Sequence, residues 1–312
     1  MNKKLSYTLF TEKYRPDSVS GMLIPKSYKK FFQTLVEQKE IPNLLLYSSI
    51  PGSGKTSIAK ALCNDLDADY LYINISSESG IDTLRTDIAR FAAGKSISGK
   101  KKIVICDEFD GATLALQKGL RASIEEFHNH CRFILTCNYV NKIIPALRSR
   151  LQEFDFNMNT KEIRSEMLPQ VRNRLVGLLK TEGITYQDET IEKLVDCLYP
   201  DIRKMYGLVQ QYSTMNGIID SNIFNYESVD DQLYDFILNK KFTLARQFMI
   251  DSGYNYADMY ADLYTNLVPK ISDKSKQGQI ILIIADWQYK ASFSSNPEIP
   301  FSAMLFEIMS NL

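Results

Sequence analysis

Between residues 48 and 56 the chain reads SSIPGSGKT, preceded by the apolar run Leu44-Leu45-Leu46-Tyr47 and followed by a helical pattern that begins near Thr56. A strand, a glycine-rich turn and a helix in that order restrict the fold severely. The glycines let backbone N–H groups close around an anion, and the helix N-terminus adds the positive end of its dipole. Lys55 is placed to reach β- and γ-phosphates, and the Thr56 hydroxyl to hold Mg2+. The pattern G-x-x-x-x-G-K-[ST] asks for a first glycine where this chain has Ser49, a change the loop tolerates if the φ of Ser49 is negative. Gly52, Gly54, Lys55 and Thr56 are all in place, with Pro51, Ser53 and Ser57 beside them. The competing reading is a strand-to-helix turn that holds no ligand. Nucleotide binding is the expectation.

From Met1 to about Phe156 helix-like and strand-like segments alternate. Short apolar runs occupy 44 to 47, 70 to 74, 103 to 106 and 133 to 137, and helical spacing runs through Tyr28 to Lys39, 81 to 93 and 112 to 128. That rhythm predicts a parallel sheet with helices on both faces. After Phe156 the β signal stops, and Lys161 to Leu179, Glu189 to Leu198 and Ile202 to Tyr212 predict three helices separated by Gly183 and Pro200. Met215 to Ser228 has no clear period and reads as a linker, beyond which helical patterns resume. The predicted organisation is an α/β domain at 1–156, a small helical domain at 157–226 and an all-helical domain at 227–312. No internal repeat or low-complexity tract interrupts it.

The 312 residues carry 37 basic and 37 acidic side chains, so overall charge argues for no particular polyanionic partner and leaves open a local basic track. Cys63, Cys106, Cys131, Cys137 and Cys197 form no C-x-x-C pair and mostly sit in apolar runs. A reduced, cytosolic setting is expected, with no metal or disulfide role for them. No apolar run approaches the ~20 residues that span a bilayer, so a soluble chain that is not exported is expected.

The run Ile103-Val104-Ile105-Cys106 ends in Asp107-Glu108. In an open parallel sheet, ligands sit at the C-terminal ends of the strands, which places Asp107 near Lys55 to hold Mg2+ directly or through water. Glu108 is then the candidate catalytic base, orienting and deprotonating a water beside the metal. Alone, the pair also reads as an acidic helix cap. A further strand, Phe133 to Cys137, ends at Asn138, an amide that can sense a γ-phosphate or simply begin a turn. Pro145-Ala146-Leu147-Arg148-Ser149-Arg150-Leu151 follows, and Pro200-Asp201-Ile202-Arg203 opens a helix. By themselves Arg150 and Arg203 read equally as surface charges.

In this order the elements resemble an AAA+ ATPase of the clamp-loader type: Walker A, Walker B, the strand-end Asn138, Ser149-Arg150, and Arg203 in a helical lid. Lys13-Tyr14-Arg15-Pro16 is similar to the clamp-loader Y-R-P motif beside the adenine pocket, which places Tyr14, Arg15 and Pro16 among the nucleotide contacts. Ser149-Arg150 is similar to the S-R-C motif, with Leu151 where the family usually has cysteine. The resemblance covers the whole chain and is nearest to the large subunits of T4-type bacteriophages, with replication factor C small subunits next. It implies an ATPase domain, a lid and a helical collar that oligomerises. It implies ATP and Mg2+ as cofactors, Arg150 as a finger reaching a neighbouring subunit's ATP, and Arg203 as a second sensor on the chain's own γ-phosphate. The implied partners are other copies of the chain and a small subunit in a spiral hetero-oligomer, a sliding clamp, and primer-template DNA, in the bacterial cytoplasm and away from membranes. ATP binding would open the clamp and grip DNA, and DNA-triggered hydrolysis would release the closed clamp.

Ser76, Ser77 and Arg85 lie where a channel-facing helix would begin, suited to phosphate contact or to plain capping. Arg121 and Gln117 lie on the helix after Walker B, where the family couples DNA to the ATP site. His128 and His130 suggest capping or surface positions. Trp287 and the tyrosines at 254, 256, 260 and 264 suggest collar core and subunit interface. Two alternatives stand beside the loader: an AAA+ scaffold or adaptor that binds ATP without hydrolysing it, and an AAA+ DNA helicase motor.

Overall fold

The computed structural model describes residues 9–76, 81–94, 99–224, 229–252 and 255–312. The chain divides into two compact units, Met1–Ser221 and Asn222–Leu312. The boundary falls inside the stretch read as a linker, and the lid helices belong to the same unit as the sheet.

In the first unit a short helix α1 (Phe10–Lys13) and α2 (Lys26–Gln38) precede β1 (Leu44–Tyr47). Then come α3 (Lys55–Asp65), β2 (Asp69–Asn74), α4 (Ile81–Ala93), β3 (Lys102–Asp107), α5 (Leu114–Glu126), β4 (Cys131–Cys137), α6 (Pro145–Arg148) and β5 (Gln152–Asp155). The five strands are parallel in the order β2-β3-β4-β1-β5, with Leu44 opposite both Ile134 and Gln152, and Asn74 opposite Asp107. Leu44 to Leu46, Ile103 to Cys106 and Phe133 to Leu135 are wholly buried. Such unbroken apolar runs are what a sheet covered on both faces requires. On one side Ile88, Leu116, Leu120 and Ile124 of α4 and α5 pack against Leu45, Val104, Phe133 and Leu135. Elsewhere the rings of Phe31 and Phe32 on α2 lie 4.9 and 5.0 Å from that of Phe154.

Two features depart from the sequence reading. The fifth strand, β5, had no signal because it is an edge strand with Phe154 as its one buried side chain. The β signal also does not stop at Phe156. After α7 (Lys161–Glu182), β6 (Thr185–Tyr186) pairs across α8 (Asp188–Leu198) and α9 (Ile202–Asn216) with β7 (Ile218–Ile219). Two residues per strand are too few for a period to register. Thr160 caps α7 and Gly183 ends it at a φ of 69°. A cis Tyr199–Pro200 bond leads into α9, whose first turn is capped by Asp201 accepting from the Lys204 N–H at 2.9 Å.

The second unit is helical: α10 (Val229–Leu238), α11 (Phe242–Ser252), α12 (Tyr256–Asp262), α13 (Lys274–Ala291) and α14 (Glu298–Asn311). Leu233, Ile237, Met249, Leu263, Ile284, Met304 and Ile308 form its core. Tyr256 and Tyr260 stand edge-on to Phe301 at 5.3 and 5.5 Å. Trp287 donates to Glu307 at 2.6 Å, Tyr264 is exposed, and Tyr254 lies outside the described residues. Leu282, Tyr289, Phe293, Ile299 and Phe306 present large apolar side chains at the surface of this unit. Among the described residues no helix is long and apolar enough to cross a membrane.

Candidate active site

The loop after β1 wraps a cleft of 380 Å³ at the C-terminal edge of the sheet. Gly52 and Gly54 sit at φ of 68° and 94°, the left-handed region that glycine enters at no steric cost. Ser49 is not among the residues of positive φ, so a side chain is tolerated where the motif has its first glycine. Its N–H and Oγ both donate to Asn157 Oδ1, at 2.9 and 2.8 Å, which braces the loop. Gly54 caps α3, so the first N–H groups of that helix face the cleft beside Lys55, Thr56 and Ser57. Lys55 is buried and donates to the carbonyls of Ser48 and Ile50, and burial holds its pKa below the usual lysine value. Ser53 Oγ is buried without a hydrogen-bond partner.

Across the cleft the ends of β2, β3 and β4 build one carboxylate centre. Asp107 is buried, and its Oδ1 accepts from Thr56 Oγ1 at 2.8 Å and from Thr136 Oγ1. Its Oδ2 accepts from the Tyr72 hydroxyl at 2.7 Å. Burial, then the Asp107 carboxylate, pushes the Tyr72 hydroxyl's pKa well above the usual tyrosine value. Thr136 Oγ1 in turn accepts from the Glu108 N–H at 3.1 Å, which fixes the turn where Glu108 takes a φ of 55°. Glu108 is exposed and borders the cleft with Asn138, whose N–H donates to Asp110 Oδ1 at 3.3 Å.

Opposite lie the N-terminal segment and the lid helices of the same unit. Tyr14, Arg15 and Pro16 border the cleft. The Tyr14 hydroxyl donates to Glu182 on α7, and burial with that carboxylate raises its pKa to about 12. Phe10 N–H donates to the buried Gln210 Oε1 on α9 at 2.8 Å, so this segment is fastened to the lid at two points. Arg203 borders the cleft from the first turn of α9. The helix start approaches the loop so closely that a Cβ on Gly52 would lie 1.9 Å from Asp201 Oδ1 and 3.0 Å from Arg203 Cβ.

Of the remaining sequence-predicted residues, Arg150, Gln117, Arg121 and Ser76 lie apart from this cleft. Arg150 pairs with Glu125 of its own chain, Nε to Oε1 at 2.6 Å, and donates to the Ala146 carbonyl at 2.6 Å. Gln117 is buried: its amide donates to the carbonyls of Ala112 and Lys142, and its Oε1 accepts from the Ile144 N–H at 2.9 Å. It therefore ties the start of α5 to the segment that carries Ser149 and Arg150. Arg121 and Ser76 are exposed, and the Ser76 N–H donates to Asn74 Oδ1 at 2.9 Å. Ser77 lies outside the described residues, and of Arg85 only the helical backbone of α4 is described. Tyr72, Thr136, Asn157 and Arg174 are cleft or loop residues that the sequence reading missed. Only Thr136, two residues before Asn138, carried a local signal, a hydroxyl in an otherwise apolar strand.

The donor set suits a nucleoside triphosphate with Mg2+. A loop of N–H groups with glycines at positive φ, one of them without room for a Cβ, a buried lysine and an unpartnered serine hydroxyl match phosphate oxygens. Thr56 and Asp107 are hard oxygen donors for Mg2+, and no cluster of three His, Cys, Asp or Glu occurs among the described residues. The rest of the Mg2+ shell would come from phosphate and water, as is usual for that ion.

Residues 44–161 match the model of the ATPase family associated with various cellular activities (AAA). The chain is 32% identical to the sliding-clamp-loader large subunit of Enterobacteria phage T4, over 84% of this chain and 85% of that one. It is 32% identical to the subunit of that name in Escherichia phage RB69, over 97% and 96%. The replication factor C small subunit of Saccharolobus solfataricus is 29% identical over 98% and 95%. The Thermotoga maritima RuvB Holliday junction branch migration motor shares the fold at a TM-score of 0.57, covering 78% of this chain and 86% of that one at 16% identity. With identity at this level over nearly all of its length, the chain belongs to the clamp-loader family of AAA+ ATPases that includes the phage large subunits.

Proposed function

We propose that this chain is the ATPase subunit of a DNA sliding-clamp loader, with residues 1–156 as the ATPase domain, 157–226 as the lid and 227–312 as an oligomerising collar. The observation that carries this reading is the gathering of Lys55, Thr56, Asp107, Glu108, Asn138 and Arg203 around one cleft while Arg150 lies apart from it. Lys55 and the loop N–H groups bind the β- and γ-phosphates, and Tyr14, Arg15 and Pro16 receive the base. Thr56 and Asp107 would hold Mg2+, which when bound would supply positive charge to offset that on the transferred phosphoryl group. Glu108 orients the attacking water and takes its proton, and Asn138 and Arg203 read the γ-phosphate. Arg150 serves the next subunit, a role that elsewhere is worth about 10³ to 10⁵ in rate. The active site is then complete only in a spiral of copies with a small subunit, a clamp and primer-template DNA, in the cytoplasm of a host bacterium.

Exposed apolar side chains such as Leu282 and Phe293 support an oligomerising role for the last helices. Ser76, Ser77, Arg85 and Arg121 contact DNA phosphates, and Gln117 links that contact to the segment bearing Arg150. The test is steady-state ATP hydrolysis by the chain alone and with clamp, small subunit and primer-template DNA, for wild type and Arg150→Ala. Strong stimulation by DNA and clamp, lost in the variant while ATP still binds, is expected. Tight ATP binding with no stimulation in any combination would instead identify a scaffold.

A further inference from the structure

We propose that the Tyr72 hydroxyl is the positioning group for the metal-holding carboxylate of Asp107, a role that rests on the reading of Thr56 and Asp107 as the Mg2+ site. In the β2–β3 register Asn74 stands opposite Asp107, so Tyr72, two residues earlier, projects from the same face of the sheet. From there its hydroxyl meets Oδ2 at 2.7 Å. The other oxygen, Oδ1, takes the hydroxyls of Thr56 and Thr136. The sheet thus holds both oxygens, Oδ2 through Tyr72 of β2 and Oδ1 through Thr136 of β4, and Oδ1 also meets Thr56 on α3. Turning the carboxylate about its Cβ–Cγ bond would give up the Tyr72 bond. The ring is itself held, because Lys60 on α3 places Nζ 4.2 Å from its centroid, an attractive cation–π arrangement. One helix thus supplies Lys55 and Thr56 to the nucleotide and Lys60 to the residue that aims Asp107.

Partners that fix the orientation of a ligating side chain are typically worth 10- to 100-fold in metal affinity. The test uses Mn2+ as a paramagnetic probe, titrated into the full chain with a non-hydrolysable ATP analogue, for wild type, Tyr72→Phe and Lys60→Met. Binding of a fluorescent ATP analogue in excess EDTA is measured in parallel. Tyr72→Phe keeps the ring and removes only the hydroxyl, and is expected to weaken Mn2+ binding about tenfold. Metal-free nucleotide binding should stay unchanged. Lys60→Met should give a smaller loss of Mn2+ affinity. Unchanged Mn2+ binding in Tyr72→Phe, or an equal loss of metal-free nucleotide binding, would overturn the role of Tyr72 and leave the Mg2+ site standing. Absence of nucleotide-dependent Mn2+ binding in the wild type would sink both.

Discussion

Replacing Gly52 by alanine tests how the lid is seated on the phosphate loop. Two costs follow from the structure. At a φ of 68° an L side chain costs about 1 kcal/mol, partly offset by about 0.5 kcal/mol from the stiffer unfolded chain. The new Cβ would also meet Asp201 Oδ1 at 1.9 Å and Cγ at 2.8 Å, so the Asp201 side chain has to leave. That same Oδ1 accepts from the Lys204 N–H and caps α9, and losing such a cap costs about 1 kcal/mol. Gly52→Ala should therefore destabilise the first unit by about 1.5 kcal/mol and Asp201→Ala by about 1 kcal/mol. In the double variant the cap is lost once, so the pair should cost about 1.5 kcal/mol, leaving a coupling of about 1 kcal/mol. Urea unfolding followed by circular dichroism gives all four values. The single tryptophan, Trp287, lies in the second unit, so its fluorescence identifies and removes that unit's transition. Costs that add to within about 0.5 kcal/mol would refute the reasoning, because they would mean that Gly52 and Asp201 do not compete for one space.

Thr136→Val preserves shape but strips a donor from the buried Asp107 carboxylate and the acceptor from the Glu108 N–H, so urea unfolding should show a loss of about 1–3 kcal/mol. Ser49→Gly restores the usual motif yet removes the Oγ bond to Asn157 and frees the unfolded backbone, and should cost about 1 kcal/mol in the same assay with nucleotide affinity unchanged. Burial pushes the thiols of Cys63, Cys106 and Cys137 up to about 12 and that of Cys131 to about 11. Above about pH 9 the unfolded chain releases these protons while the folded chain keeps them, so stability is full below that pH and falls as pH rises towards 11–12, by on the order of 1 kcal/mol per thiol per pH unit. Lys55 and Lys29, both lowered by burial, act with the opposite sign but are two groups against four. The urea midpoint should drop between pH 8 and 10, and a constant midpoint would argue against buried neutral thiols.

The parallel sheet was legible because its strands β1, β3 and β4 are buried on both faces and therefore written as unbroken apolar runs, so their ends were found to within two residues. β5 was not, because one buried phenylalanine in four residues leaves no pattern. The cradle and Asp107 could be read because their chemistry is local: a glycine needed for its φ, or a carboxylate at a strand end. Tyr72, Asn157 and Gln210 act through hydrogen bonds across long sequence separations, among them contacts at 2.7, 2.9 and 2.8 Å. No neighbouring residue marks such a contact, so a strand tyrosine reads as packing and a helix glutamine as surface until the chain is folded.

The proposed role of Arg150 has an energetic condition that the structure meets. To act on a neighbour's nucleotide, its guanidinium has to leave Glu125, the Ala146 carbonyl and Ser149 Oγ. Both partners in the ion pair are partly exposed, at 34% and 50% of their side-chain surface. Pairs of that kind are worth about 1 kcal/mol or less, because water competes for both charges. A finger that speeds hydrolysis 10³- to 10⁵-fold lowers the barrier by about 4–7 kcal/mol. The gain in the transition state therefore exceeds the cost of release several-fold, and Glu125 serves as a resting place for the guanidinium rather than a lock. The ground state need not favour the exchange at all. Release only has to be repaid as charge develops on the phosphoryl oxygens, the point at which a contact between subunits changes a rate instead of an affinity.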